Sequence, residues 1–202
     1  MMRALPPKTF DEVPSFYADS RSAWRAWLQE NHRKENRIWL VIYHKKSGIP
    51  SVYYDEAVDE ALCFGWIDSK PAKRDDNSYY QYFSKRSPKS NWSGVNKEKV
   101  ARLAELGLMT EAGWEMVELA KKTGTWTALD EVIALVIPPD LLQALEENPP
   151  AFAYFQKFPP SAKRALLEWI ATAKQPATRS KRILETARCA VQNIRANQYV
   201  PK

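Results

Sequence analysis

The run Ile38-Trp39-Leu40-Val41-Ile42-Tyr43 decides the fold. It is a continuous stretch of β-branched and aromatic residues of strand length, with no polar position that could face water. Such a run predicts a strand covered on both faces, and therefore the central strand of a sheet. Upstream, Ser20 or Ser22 can cap a helix in which Trp24, Trp27 and Leu28 fall at i, i+3 and i+4, so that two tryptophans are buried. The residues before it, with Pro6-Pro7, read as a mobile start. Downstream, the loop Lys45-Lys46-Ser47-Gly48-Ile49-Pro50 leads to an acid-rich helix start at Asp55-Glu56, with Val58, Ala61 and Leu62 at helical spacing. Gly65 stops that helix. Trp66-Ile67-Asp68 then re-enters the sheet, and after the polar turn around Asp75-Asp76-Asn77 a second aromatic strand, residues 79–83, returns as its hairpin partner.

Beyond Pro88 the pattern changes to helix after helix. Helices are expected over residues 93–106, 110–121, 140–146, 151–157, 161–173 and 178–194, separated by Pro pairs or single Pro. Leu166, Trp169, Ile170 and Ala173 repeat at i, i+3, i+4 and i+7, and Ile183, Ala187, Ala190, Val191 and Ile194 continue the rule in the last helix. The expected class is α+β: a small α/β unit over residues 1–90 with a short sheet and hairpin, then a helical region over 91–202.

Composition narrows the function. The chain has 202 residues, 45% of them hydrophobic but broken everywhere by charge. No stretch approaches the ~20 apolar residues of a membrane helix. The N-terminus reaches Pro6-Pro7 before any apolar run of ~7 to 15 residues, so no secretory signal is expected and the cytoplasm is the expected location. Cys63 and Cys189 sit on apolar helix sides without a nearby His and read as small buried hydrophobes. His32, near a helix end, is expected to meet terminal carbonyls, and His44 ends a strand. Neither has Cys or carboxylate at metal spacing, and there are only six Gly and no glycine-rich phosphate loop. No metal, flavin or nucleotide cofactor is expected.

The net charge of +6 is uneven. Residues 157–202 hold ten Lys or Arg against Glu168 and Glu185, a net of +8; residues 70–102 hold nine against Asp75, Asp76 and Glu98, a net of +6. The remainder therefore carries −8. Such asymmetry either solvates helix surfaces or makes a basic face for anions, nucleic acid or an acidic partner. In the last helix Lys181, Glu185, Arg188, Gln192 and Arg195 form one mostly basic stripe, which could dock nucleic acid or stand simply in solvent; no aromatic residue interleaves it for base stacking.

Polar side chains suited to a site concentrate in residues 64–68 and 85–96. The hairpin brings the segments of Asp68 and Arg86 together, as a structural ion pair or as one at a cleft mouth. Trp66 and Trp92 are core anchors or apolar walls. Ser93 is a helix N-cap with Asn96 three residues on, while the N–H groups of that helix start, beside Arg86, Lys89 and Lys97, also suit an anion. The expectation is that Trp66, Asp68, Arg86, Lys89, Trp92, Ser93 and Asn96 gather at one ligand cleft. No nucleophile and base pair is visible, so catalytic residues stay unassigned; an enzyme reading would use Asp68 as general base.

The order of landmarks resembles a known family. Pro138-Pro139-Asp140-Leu141, Ala144-Leu145, Phe152, Phe155, Phe158-Pro159-Pro160-Ser161, Trp169-Ile170, Ala173-Lys174 and Thr178-Arg179-Ser180-Lys181-Arg182-Ile183 are similar to the bacteriocin-protection YdeI or OmpD-associated family over residues 138–197. Upstream, Glu60-Ala61-Leu62-Cys63-Phe64-Gly65-Trp66-Ile67-Asp68, Arg86-Ser87-Pro88, Trp92-Ser93, Asn96, Gly107-Leu108-Met109-Thr110 and Ala112-Gly113 resemble the N-terminal part of its longer members. Ser69 departs from the pattern, standing where a Gly is expected at the turn after Trp-Ile-Asp. The resemblance implies a bacterial, cytoplasmic protein linked by family name to bacteriocin or antimicrobial-peptide tolerance and to an outer-membrane porin. It brings no catalytic residues. The leading reading is thus a non-enzymatic tolerance factor that binds an anionic ligand or acidic partner between its halves, with an Asp68 enzyme and a nucleic-acid binder as rivals.

Overall fold

The computed structural model describes residues 9–197; the Pro6-Pro7 start lies outside the described residues. By contact the chain divides into two compact units, one ending at Trp126 and the other beginning at Thr127.

The first unit is built on a five-stranded mixed sheet in the order β1-β2-β3-β5-β4. The strands are β1 Thr9–Phe10, β2 Val13–Tyr17, β3 Arg37–Tyr43, β4 Trp66–Lys73 and β5 Ser78–Lys85. β3 is central. It runs parallel to β2, with Ser15 opposite Trp39, and antiparallel to β5, with Trp39 opposite Tyr82. Successive side chains of a strand point to opposite faces, so Ile38, Leu40 and Ile42 enter a core with Trp24, Leu28, Leu62, Trp66 and Phe83. Trp39, Val41 and Tyr43 form a second cluster with Val13 and Tyr80. Both faces of β3 are buried, as its unbroken apolar run requires.

The parallel β2–β3 pair needs a crossover, and helix α1, Arg21–Asn31, supplies it. Ser20 is its N-cap, its hydroxyl accepting from the Ala23 N–H at 3.2 Å. Trp24 is fully buried on this helix and Trp27 half-buried. Strands β1 and β2 were not foreseen in the sequence. A two-residue strand shows no period, Pro14 weakens the strand signal of the next one, and the link between them turns through Asp11 and Glu12 at positive φ.

Helices α2 Tyr54–Cys63, α3 Gly94–Glu105 and α4 Glu111–Thr123 complete this unit. The division falls after Trp126 rather than at the expected 90/91, because Val100 and Leu103 of α3 and Val117 and Ala120 of α4 share the core of Trp24 and Ile42. β4 and β5 form the expected hairpin. Ser69 lies not in a turn but in an irregularity of β4 between Asp68 and Pro71, and it is not among the residues at positive φ. A side chain is therefore tolerated there.

The second unit is helical throughout its described residues: α5 Asp130–Ile133, α6 Pro139–Glu146, α7 Pro149–Lys157, α8 Pro160–Ala171 and α9 Pro176–Val191. From α6 onward each helix begins at a proline, whose missing N–H is no loss in the first turn and whose φ suits it. Leu141, Leu145, Phe155, Leu166, Ile170, Ile183 and Ala190 fill its core. α9 stops three residues before the expected Ile194. Asn193 takes φ 56°, its N–H reaches the Ala190 carbonyl and that of Ile194 the Cys189 carbonyl, the bonding of a Schellman stop. Ile194 is consequently exposed. Among the described residues no helix is long and apolar enough to cross a membrane.

Candidate functional site

The end of α2 shapes the site in the first unit. Gly65 takes φ 71°, and a Cβ there would lie 2.8 Å from both the Ala112 carbonyl oxygen and Met116 Cγ. Glycine is required by backbone conformation and by space. Two residues earlier the Cys63 carbonyl accepts from the Thr110 N–H at 3.1 Å and from its hydroxyl at 2.6 Å. Thr110 is in turn the N-cap of α4. This junction seats α4 on α2 and turns the chain into β4.

The turn opens a cavity of about 340 Å³, lined by Phe64, Gly65 and Trp66, by Lys85 and Arg86 at the end of β5, by His32 and Arg33 after α1, and by Ala112, Glu115 and Met116 of α4. Trp66 is fully buried, donates from Nε1 to the His32 carbonyl at 3.3 Å and meets Trp27 edge to face at 5.8 Å. His32 places Nδ1 2.8 Å from the Leu28 carbonyl, the helix-end contact expected of it.

Arg86 is the unusual group. It is 5% exposed, its backbone N–H donates to the Gly65 carbonyl at 3.0 Å, and its guanidinium carbon sits 3.7 Å from the centre of the Trp92 ring. Nη2 donates to the Asn91 carbonyl at 2.6 Å, but Nε and Nη1 have no hydrogen-bond partner among the protein atoms. Burial pulls the guanidinium pKa down to about 10, with the charge of Asp68 acting the other way. A buried cation without a carboxylate is expensive, and here the Trp92 face compensates it only in part.

Asp68 and Arg86 do not form the expected direct ion pair. In the hairpin Asp68 stands opposite Phe83, whereas Arg86 lies beyond the last pair, Trp66 with Lys85. Asp68 instead accepts from the Tyr54 hydroxyl at 2.7 Å. Burial and then that bond push the Tyr54 phenol above its ordinary pKa. Ser93 caps α3, accepting from the Asn96 N–H at 3.3 Å. Trp92 is buried against Trp126 at 5.0 Å, and Lys89 is exposed. Of the seven residues singled out in the sequence, Trp66 and Arg86 share the cavity; Asp68, Lys89, Trp92, Ser93 and Asn96 do not line it.

Residues His32, Arg33, Lys85, Glu115 and Met116 were not singled out for this site, because they come from separate segments with no common motif. Also missed were two buried carboxylates in α2. Glu60 is 2% exposed and bound by Arg21 at 2.5 Å and Arg25 at 2.6 Å, both on α1. Asp59 is bound by Lys99 at 2.9 Å and Arg102 at 2.6 Å, both on α3. Burial would raise the Asp59 carboxyl, but the bonds from Arg102 and Lys99 hold it below the usual range. Two adjacent acids in an apolar helix were the signal. Cys63 and Cys189 are free thiols, and burial, then the charge of Glu60, pushes Cys63 up to about 11, far from a thiolate. Among the described residues no group of three His, Cys, Asp or Glu could hold a metal.

In the second unit Lys181 and Arg188 are exposed on α9, while Arg195 lies past its end, which removes it from the expected stripe. Arg179 forks onto Asp140 at 2.7 and 2.9 Å, and Arg182 donates to the Trp169 carbonyl and covers the Trp169 ring at 5.1 Å. These landmarks hold helices together.

A family model described as a domain of unknown function, DUF8412, matches residues 16–116, half of the chain. The model described as Bacteriocin-protection, YdeI or OmpD-Associated matches residues 134–193. No curated protein and no solved structure matches the chain. The two matched stretches fall in the sheet unit and the helical unit respectively: residues 134–193 of the second match the bacteriocin-protection, YdeI or OmpD-associated model, and through the first the chain belongs to the DUF8412 family.

Proposed function

We propose that this protein binds a small anion, a carboxylate or phosphate on a compact and partly apolar body, in the cavity beside Arg86. It serves bacteriocin or stress tolerance by holding that ligand rather than by catalysis, and it acts in the cytoplasm. The observation that carries the reading is Arg86 itself, a nearly buried residue that lines a cavity and whose guanidinium has two nitrogens that no protein atom accepts from. An anion would supply the missing acceptors and charge. Phe64, Trp66 and Met116 offer apolar wall, and Arg33 and Lys85 add positive charge.

The test is a thermal-shift comparison with inorganic phosphate and benzoate as probes. A ligand at 100 times its Kd stabilises by about 2.7 kcal/mol. The expected result is a raised Tm for the wild type and none for Arg86→Gln, with far-UV circular dichroism unchanged. Arg86→Lys keeps the charge without the fork and should bind weakly. A shift that persists in Arg86→Gln, or none in the wild type, overturns the reading.

A further inference from the structure

A second cavity of about 370 Å³ shares His32, Arg33, Phe64 and Ala112 with the first. Glu111 lines the second and Glu115 the first, one turn apart on α4. Arg33 Nη2 stands 3.3 Å from Glu111 and 3.7 Å from Glu115. Arg33 thus borders both cavities, its guanidinium tied to one acid of each.

The three side chains keep 63%, 82% and 59% of their exposure for Arg33, Glu111 and Glu115. Ion pairs this exposed are weak, so a change of partner is easy. The other cations of the cavity are held differently. Arg86 is buried under Trp92, and Lys85 donates from Nζ to the Arg33 carbonyl and to Asn36 Oδ1. Arg33 is the cation placed to move.

We propose that Arg33 is a switch residue of the site, an inference that rests on the cavity beside Arg86 taking a small anion. The anion competes with Glu111 and Glu115 for the Arg33 guanidinium and draws it from these acids onto itself. The two glutamates therefore set the affinity from outside, as rival acceptors. A carboxylate or phosphate suits both Arg86 and Arg33, because each offers a planar set of N–H donors.

The experiment is calorimetric titration with benzoate and inorganic phosphate of the wild type, Arg33→Gln, Glu111→Gln with Glu115→Gln, and all three changes together. Arg33→Gln should weaken binding and the double variant tighten it, each by about two- to fivefold, the scale of an exposed pair. In the triple variant the gain should vanish, because the glutamates act through Arg33. A gain that survives in the Arg33→Gln background means that the glutamates act only as a repulsive field, and overturns the switch. So does an Arg33→Gln protein that binds like the wild type. When the wild type binds and Arg86→Gln does not, but the double variant is unchanged, the anion site stands and the switch falls. When the wild type binds neither probe, both fall together.

Discussion

The carbonyl oxygen of Cys63 fills the space that a side chain on Gly113 would need: a Cβ built there would lie 2.3 Å away. Gly113 is in the first turn of α4, where its N–H also reaches Thr110 Oγ1 at 3.5 Å. The contact is with backbone, which cannot swing aside as a long side chain does. Gly113→Ala should therefore lose about 2 to 4 kcal/mol, from the upper part of the ordinary range for overpacking to just beyond it, although alanine is the better helix former. Urea unfolding measures it. A variant as stable as the wild type would mean that α4 shifts freely on α2.

Glu60→Gln should cost about 2 to 4 kcal/mol, because two guanidiniums on α1 lose the one buried carboxylate between them. The loss falls at or below the low end for a broken buried pair, since the Arg21 and Arg25 side chains stay partly exposed. A midpoint in urea within error of the wild type would show that the pairs contribute little.

Asp59 makes stability depend on acid. Its carboxyl is held below the ordinary value of 3.8 in the folded protein. A lowered carboxylate stabilises above the unfolded pKa, and the contribution disappears as pH falls through the folded one. The stability gap between the wild type and Asp59→Asn should be full at about pH 7 and shrink as pH falls below about 4. A gap that does not change with pH would contradict the assignment.

Asp68→Asn should leave benzoate binding intact or tighten it, by no more than about threefold, because the change removes a negative charge near Arg86 without touching the cavity. Loss of binding would return Asp68 to the site.

In the helical unit Asp140→Asn should cost about 0.5 to 1 kcal/mol, since its fork with Arg179 is partly exposed. The bond from Arg179 holds the Asp140 carboxyl below 3.8, so this contribution too is lost in acid. Thermal unfolding of the variant at neutral and acid pH reads both effects.

The resemblance drawn from the C-terminal landmarks holds in the family match over residues 134–193, whereas the upstream landmarks fall in the DUF8412 match; the structure says what many of both do. Gly65 and Gly113 clear space for backbone, Thr110 caps α4 on the Cys63 carbonyl, and Arg179 and Arg182 bind Asp140 and Trp169. At the two glycines packing tolerates little change. Ser69 shows the converse, since a bulge without positive φ has no need of glycine.

Local physics was legible where one segment carries its own signal. The apolar run of β3, the Ser20 and Ser93 caps, the Gly65 stop, the prolines that open α6 to α9 and the helical repeat in the last helices all follow from nearest neighbours in sequence. What the chain could not disclose by itself is anything made by distant segments meeting. β2 joins the sheet because β3 offers it an edge. Asp59 and Glu60 are buried because cations forty residues away in α3, or on α1, reach them. Arg33, Lys85, Arg86 and Glu115 line one cavity because α4 docks on the end of α2. Secondary structure is a matter of backbone conformation and local burial, which the order of residues determines; a site is a matter of long-range contact, and tertiary packing alone decided that Arg86 would stand buried with donors to spare.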